Sequence, residues 1–246
     1  MRKTATHFSF GDIMNEILTA GMAELGIEAP ANACEYLKKY YEYLEERNKV
    51  MNLTAISGED DVARLHFLDC AALLKYVDLK DKRVIDVGTG AGFPGMVLKI
   101  LSQESEFVLL DSLNKRIDFL NEVSGMLKLD KIACIHARAE EAAAEMGGTF
   151  DVATSRAVAR LNVLCELCLP FVKVGGVFAA MKGPDCAEEL KEAENAVKLL
   201  GGRVRELIPY TIPGTDITHS LVIIEKIKPT HPKYPRKWAQ IKKQPL

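Results

Sequence analysis

The sequence predicts an α/β protein: a mostly parallel, seven-stranded sheet flanked by helices and preceded by a helical extension. Three observations lead there. From about residue 82, short β-branched apolar runs alternate with helical stretches, and such alternation implies a parallel sheet with right-handed crossovers. The first run passes into a glycine-rich turn, Val84-Ile85-Asp86-Val87-Gly88-Thr89-Gly90-Ala91-Gly92-Phe93-Pro94-Gly95, and then into the apolar stretch Met96–Leu101, which reads as a helix. Strand, glycine turn and helix together bind nucleotide-like ligands at the carboxyl end of a parallel sheet, where unpaired helix N–H groups meet the ligand. The last two strands have no helix between them, which implies an antiparallel hairpin at one sheet edge.

In order, residues 10–27 carry Ile13, Ile17, Leu18, Met22 and Leu25 at helical spacing. A second helix is expected over 31–49, with Tyr36, Leu37, Tyr40, Tyr41 and Leu44. After the stretch Asn52-Leu53-Thr54-Ala55-Ile56, a third helix over 59–76 carries Arg64, His66 and Asp69. The strands expected next are 83–87, 107–110, 132–135, 150–154, 177–181, 203–210 and 220–226. The helices between them are 95–101, 113–127, a short one after Glu140, 161–172 and 186–200. We expect a helical extension over 1–78, a core over 79–228 and a basic tail over 229–246.

With 246 residues, 48% apolar and 27% charged, the composition is that of an ordinary globular chain. No apolar run approaches the roughly 18 residues of a membrane span. The basic start Met1–His7 is not followed by an apolar core, so neither a signal peptide nor a membrane location is expected, and the cytoplasm is. The six cysteines are scattered, and Cys165-x-x-Cys168 has neither a second pair nor a nearby histidine, so no metal site is expected. The net charge of −2 does not mark a nucleic-acid binder. The tail does. After Glu225 come Lys226, Lys228, Lys233, Arg236, Lys237, Lys242 and Lys243 with no acidic residue, interleaved with His231, Tyr234 and Trp238. Cations neutralise phosphates and aromatics stack on unpaired bases; a solvated, disordered basic end is the other reading.

Ligand sites in such sheets lie beyond the strand ends. The turn is G-x-G-x-G, not the G-x-G-x-x-G of dinucleotide folds, because Gly92 comes one position early. With Asp86 before it, it resembles the first motif of Rossmann-like class I S-adenosylmethionine-dependent methyltransferases. Asp111, 23 residues after Gly88, is placed to accept hydrogen bonds from ribose hydroxyls, or else to cap the next helix. Ala139-Glu140 lies where an adenine edge would rest. Arg156 closes the fourth strand, suited to a carboxylate or a phosphate, and Lys182 closes the fifth.

The set Asn52–Ile56, His66-Phe67-Leu68-Asp69, Asp86–Gly95, Asp111-Ser112, Ser155-Arg156-Ala157 and Met181-Lys182-Gly183, with the tail Lys233-Tyr234-Pro235-Arg236-Lys237, resembles the bacterial small-subunit rRNA guanine-N7 methyltransferase G family, once called glucose-inhibited division protein B. The resemblance runs over nearly the whole chain. It implies S-adenosylmethionine as donor and N7 of a guanosine in the decoding-region loop of 16S rRNA as acceptor, in free rRNA or in a small-subunit particle. It implies cofactor contacts at Gly88, Phe93, Asp111, Ser112, Ala139, Glu140 and Arg156, with Gly90 in the same turn and Phe93 near the methionyl end. Asn52, His66, Asp69 and Lys182 are acceptor-side candidates; Lys233, Arg236, Lys237, Lys242 and Lys243 are RNA-binding candidates. A monomer is expected. Two departures stand out: Cys70 replaces a common serine, and Trp238-Ala239-Gln240-Ile241 replaces a Gly-Thr-Pro-like segment.

Guanine N7 carries an in-plane lone pair and no proton, so the acceptor needs no general base. The sequence has neither an Asn-Pro-Pro-Tyr-like motif nor a cysteine placed for covalent attack on a pyrimidine. Three alternatives remain. A small-molecule methyltransferase predicts turnover indifferent to deletion of residues 229–246. A noncatalytic RNA- or ribosome-binding protein leaves the intact Gly88, Gly90, Gly92 and Asp111 without a purpose. A nicotinamide dehydrogenase is disfavoured by the misplaced third glycine.

Overall fold

The computed structural model describes residues 10–156, 159–184 and 186–246. The basic start Met1–His7 and Ala157, both singled out in the sequence, lie outside them. Seven strands form one sheet in the order β3-β2-β1-β4-β5-β7-β6. They are β1 (Arg83–Val87), β2 (Glu106–Asp111), β3 (Ile132–His136), β4 (Phe150–Arg156), β5 (Val172–Lys182), β6 (Gly202–Thr211) and β7 (Thr218–Lys226). The first five are parallel, and β7 runs antiparallel between β5 and β6.

Alternation along each strand splits the core into two layers. Val84, Phe107, Leu109 and Ala179 face one layer; Ile85, Val108, Leu110 and Ala180 face the other. The first is covered by α1 (Phe10–Leu25), α2 (Ala33–Met51), a helical run over 59–75, α5 (Gly95–Leu101) and α6 (Asn114–Leu127). The second is covered by α7 (Ala139–Met146), α8 (Leu161–Cys168), α9 (Cys186–Glu192), α10 (Glu194–Leu199) and α11 (Trp238–Lys243).

The run over 59–75 is not one regular helix. It comprises α3 (Glu59–Val62), a π-helical turn (Ala63–Leu68), α4 (Asp69–Ala71) and a 3₁₀ turn (Ala72–Lys75). α1 lies close against the wide turn, since a Cβ on Gly21 would stand 2.3 Å from Leu68 Cδ1. In α1, Met14 rather than Ile13 joins the buried stripe; Ile13 is exposed. The helix expected over 186–200 breaks at Ala193. β5 is longer than its apolar run because Val172–Gly176 continues it with mostly exposed residues.

The strands end in register: Asp111 lies opposite His136, Arg156 opposite Met181, and Lys182 opposite Ser220. Strand order reverses between β1 and β4, which opens a crevice beyond their carboxyl ends.

Candidate active site

A cavity of about 880 Å³ occupies that crevice, within the range of small-molecule and cofactor sites. Gly88, Gly90, Phe93, Asp111, Ser112, Ala139, Glu140 and Arg156 all line it, as do His66, Asp69 and Lys182.

One end is built from backbone. Gly90 has φ +60°, and a Cβ there would meet nothing within 4 Å, so the turn opens onto the cavity at this residue. Gly92 and Gly95 serve packing instead. A Cβ on Gly92 would stand 2.6 Å from the Tyr40 hydroxyl, and one on Gly95 2.7 Å from Asp86. Tyr40, on α2, donates its hydroxyl hydrogen to Ala91 O, tying the helical extension to the turn. Asp86 accepts the Gly95 N–H at 2.8 Å; its complete burial pushes its carboxyl up to about 6. Asp111 accepts the N–H of Gly90 and of Leu113, both at 2.9 Å, so it shapes the turn and caps the next segment at once. Arg116 pairs with it at 3.2 Å. Glu140 stands in the first turn of α7 beside Arg138. Thr89 also lines the cavity. An open Gly90 and an acid at the end of β2 fit the expected S-adenosylmethionine in shape and donor set.

The other end is built from side chains that converge from four stretches of chain. The Arg156 guanidinium donates to Asp69 Oδ2 at 2.8 Å, Leu65 O at 3.1 Å and His66 Nδ1 at 2.7 Å. The π-helical turn supplies the last two groups. His66 therefore carries its hydrogen on Nε2 and donates it to Thr54 Oγ1, 2.8 Å away. Burial, then the Arg156 charge, push its imidazole down to about 3, so it is neutral at pH 7. Its ring stacks on Phe93 at 4.0 Å between centroids, with Arg156 on the same ring at 5.1 Å. Asp69, fully buried, accepts from Tyr210 Oη at 2.7 Å and His219 Nδ1 at 2.9 Å through its other oxygen. Burial alone would raise the Asp69 carboxyl. The His219 hydrogen bond and the Arg156 charge outweigh it and hold the group below its ordinary value. Lys182 is engaged by Ala159 O and Glu189, both at 2.8 Å.

Asn52 does not line the cavity. It is exposed and caps α2 in the left-handed region at φ 49°. The residue that organises this loop is Asn48, whose side chain binds the N–H of Leu53 and of Thr54 and the Thr54 carbonyl. None of the five basic tail candidates lines the cavity either. The tail is packed, not a loose basic end: Ile241 is fully buried, and Arg236 is clamped on the buried Glu166 at 2.7 Å. Deleting residues 229–246 would therefore strip the core as well as the cations. Lys233, Lys237, Lys242 and Lys243 stay exposed, and Trp238 reaches the cavity wall.

Within the stretch Asn52–Ile56 the sequence points to Asn52 and passes over Thr54, and it does not point to Tyr210 or His219. His219 is the second residue of β7, and because that strand runs antiparallel its start, not its end, lies at the site. Inspecting both ends of the hairpin strands would have found it.

Comparison with known proteins bears on this geometry. Residues 33–212 match the family described as rRNA small subunit methyltransferase G. The chain is 48% identical over 234 residues to the ribosomal RNA small subunit methyltransferase G of Clostridium tetani, covering 94% of this chain and 98% of that one. The protein of the same name from Alkaliphilus metalliredigens is 49% identical over 233 residues, with the same coverages. A Thermotoga maritima SAM-dependent O-methyltransferase shares the fold at TM-score 0.52 and 16% identity, covering 76% of this chain and 72% of that one. On the family match and on 48–49% identity over nearly the full length of two of its members, the chain belongs to the rRNA small subunit methyltransferase G family of S-adenosylmethionine-dependent methyltransferases.

Proposed function

We propose that the chain transfers the methyl group of S-adenosylmethionine to N7 of one guanosine in the decoding-region loop of 16S rRNA. It acts in the cytoplasm, as a monomer, on rRNA or on a small-subunit particle. When bound, the cofactor supplies an electrophilic methyl group on a sulfonium centre. Gly88 and Gly90 give backbone approach, Asp111 accepts from the ribose, and Ala139 and Glu140 flank the adenine. Ser112 closes this end. Phe93 and Arg156 form the boundary with the acceptor end.

The observation that carries the choice of a ring nitrogen is that the titratable acceptor-side candidates His66, Asp69 and Lys182 are already engaged within the protein. Asp69 already accepts three hydrogen bonds, both nitrogens of His66 are paired, and Lys182 is held by two oxygens. An acceptor without a proton to lose suits such a site. The protein's work is then to hold the reacting atoms in line, which supplies up to roughly 7–11 kcal/mol. Exposed Lys233, Lys237, Lys242 and Lys243 meet phosphates, while Arg236 serves by anchoring the segment that carries them.

The test is to map N7-methylguanosine in 16S rRNA from cells with and without the gene, and to offer the unmethylated particles to purified protein with the cofactor. One position gains the mark in both experiments. Methylation at another atom, or none, overturns the reading.

A further inference from the structure

We propose that His219 is the residue that reads the target base, accepting one hydrogen bond through Nε2 from the 2-amino group of guanine. This rests on the reading of guanine as acceptor. His219 is the second residue of β7, beside Ser220, which pairs with Lys182 at the carboxyl end of β5. Its ring lines the cavity with 29% of the side chain exposed. Nδ1 faces Asp69 Oδ1 at 2.9 Å. That oxygen belongs to an ionised carboxylate and can only accept, so the imidazole hydrogen sits on Nδ1 and Nε2 carries a lone pair. Tyr210 fixes the arrangement from a second side. Its hydroxyl donates to the same Asp69 oxygen, and its ring meets the imidazole edge-on at 6.2 Å.

The contrast with His66 gives the observation its meaning. Both nitrogens of His66 are used inside the protein. His219, among the described residues, is paired at Nδ1 only. Asp69, which also pairs with Arg156 at 2.8 Å, sets the tautomer and orientation of His219.

An acceptor nitrogen at this wall distinguishes the purines. Guanine offers the 2-amino donor on its Watson–Crick edge, whereas adenine has only a C–H at C2 and would leave Nε2 without a partner. A site built to pair with a donor rejects analogues lacking it because its own polar group is left unpaired. The contact also favours the reaction. As N7 takes the methyl group the ring gains positive charge, its 2-amino hydrogens become more acidic, and the bond to Nε2 strengthens in the transition state.

The experiment compares the full-length wild type with His219→Phe and His219→Gln. The substrate is small-subunit particles reconstituted with guanosine or inosine at the methylated position. Inosine keeps N7, O6 and N1–H and lacks the 2-amino group. The wild type should prefer guanosine over inosine by about tenfold, a single hydrogen bond's worth. His219→Phe should lose about tenfold or more in kcat on guanosine and fall below twofold discrimination. His219→Gln, which keeps an acceptor oxygen, should recover part of both. S-adenosylmethionine affinity by calorimetry should stay near wild type in both variants; His219→Phe, which takes one hydrogen bond from buried Asp69, should melt a few degrees lower, while His219→Gln, whose amide can still donate to Asp69, should melt near wild type. Unchanged discrimination in His219→Phe, or a matching loss of cofactor affinity, overturns the assignment. Failure of the wild type to methylate guanosine N7 overturns the reading of the function instead, and is seen before any variant is compared.

Discussion

The two ends of the cavity are made differently. At the cofactor end, Gly88 to Gly95 is one stretch of chain, and its partners Asp86 and Asp111 are the last or nearly last residues of adjacent strands. Backbone carries most of the contacts. At the acceptor end, Arg156 meets Asp69 across 87 residues, and Asp69 meets His219 across 150. Side chains carry most of the contacts at this end, the exceptions being Leu65 O and Ala159 O. A site made of backbone tolerates side-chain change where a Cβ has room. A site made of a buried, charged network does not, because each member leaves another unpaired.

The largest expected effect is therefore at the acceptor end. Arg156→Met leaves Asp69 buried and ionised without its cation, and breaking a buried pair from one side costs about 3–5 kcal/mol. Asp111→Asn, whose amide oxygen still accepts a hydrogen bond, should cost about 1 kcal/mol while weakening cofactor binding. Urea unfolding of both variants checks the contrast. Equal losses would mean that the network does not hold the fold. Adding Asp69→Asn to Arg156→Met should recover part of the loss, since the uncompensated charge is gone.

Acid sharpens the same contrast, because each end holds one strongly perturbed group. His66 is lowered from 6.5 to about 3. Its contribution is present above 6.5 and is lost as pH falls toward 3, about 5 kcal/mol across the window. Asp86 is raised from 3.8 to about 6. The folded state takes that proton first, so acidification from 6 to 3.8 stabilises by about 3 kcal/mol. The two slopes oppose each other in this window, and stability should vary little there before falling below pH 4, where the lowered Asp69 adds to the loss. Asp86→Asn keeps the Gly95 hydrogen bond and removes the compensation. It should lose about 3 kcal/mol more than wild type between pH 6 and 4, read from denaturant midpoints at each pH. Parallel curves for the two proteins would refute the assignment of the offset to Asp86.

The same division explains what the sequence made legible. The strands, the mostly parallel sheet with its edge hairpin and the cofactor end follow from periodicity and from a contiguous motif, so spacing and the motif's resemblance point to Gly90, Asp111 and Glu140. The acceptor end depends on which distant strands meet. Asp69 and His66 were noticed through resemblance, yet nothing local to them points to Tyr210 or His219. Arg156 was read as a ligand contact because a charge at a buried strand end needs a partner. It has one, and the partner is Asp69. Asn52 was singled out four residues from Asn48, the residue whose amide holds the loop. The tail's cations were visible, but Arg236 could not be told from its neighbours without knowing that Glu166 on α8 is buried beneath it.

A small loss of stability with the largest loss of cofactor binding is expected at Gly90. A non-glycine residue in the left-handed region costs about 1–2 kcal/mol, and the Cβ itself meets nothing within 4 Å. Gly90→Leu should therefore fold, with a melting temperature a few degrees lower, while its side chain occupies the space the turn leaves open. S-adenosylmethionine affinity by calorimetry should fall at least about 100-fold, since a buried ligand would have to displace the leucine or leave the turn. Gly92→Ala makes the comparison. Its smaller side chain would collide with Tyr40, Met96 and Leu120 at 2.6 to 2.9 Å and should cost more stability than Gly90→Leu, through overpacking of about 1–3 kcal/mol added to the same backbone strain. Retained cofactor binding in Gly90→Leu would mean that the open face of the turn is not where the ligand lies. The backbone end of the cavity would then have to be sought elsewhere along β1 and β2.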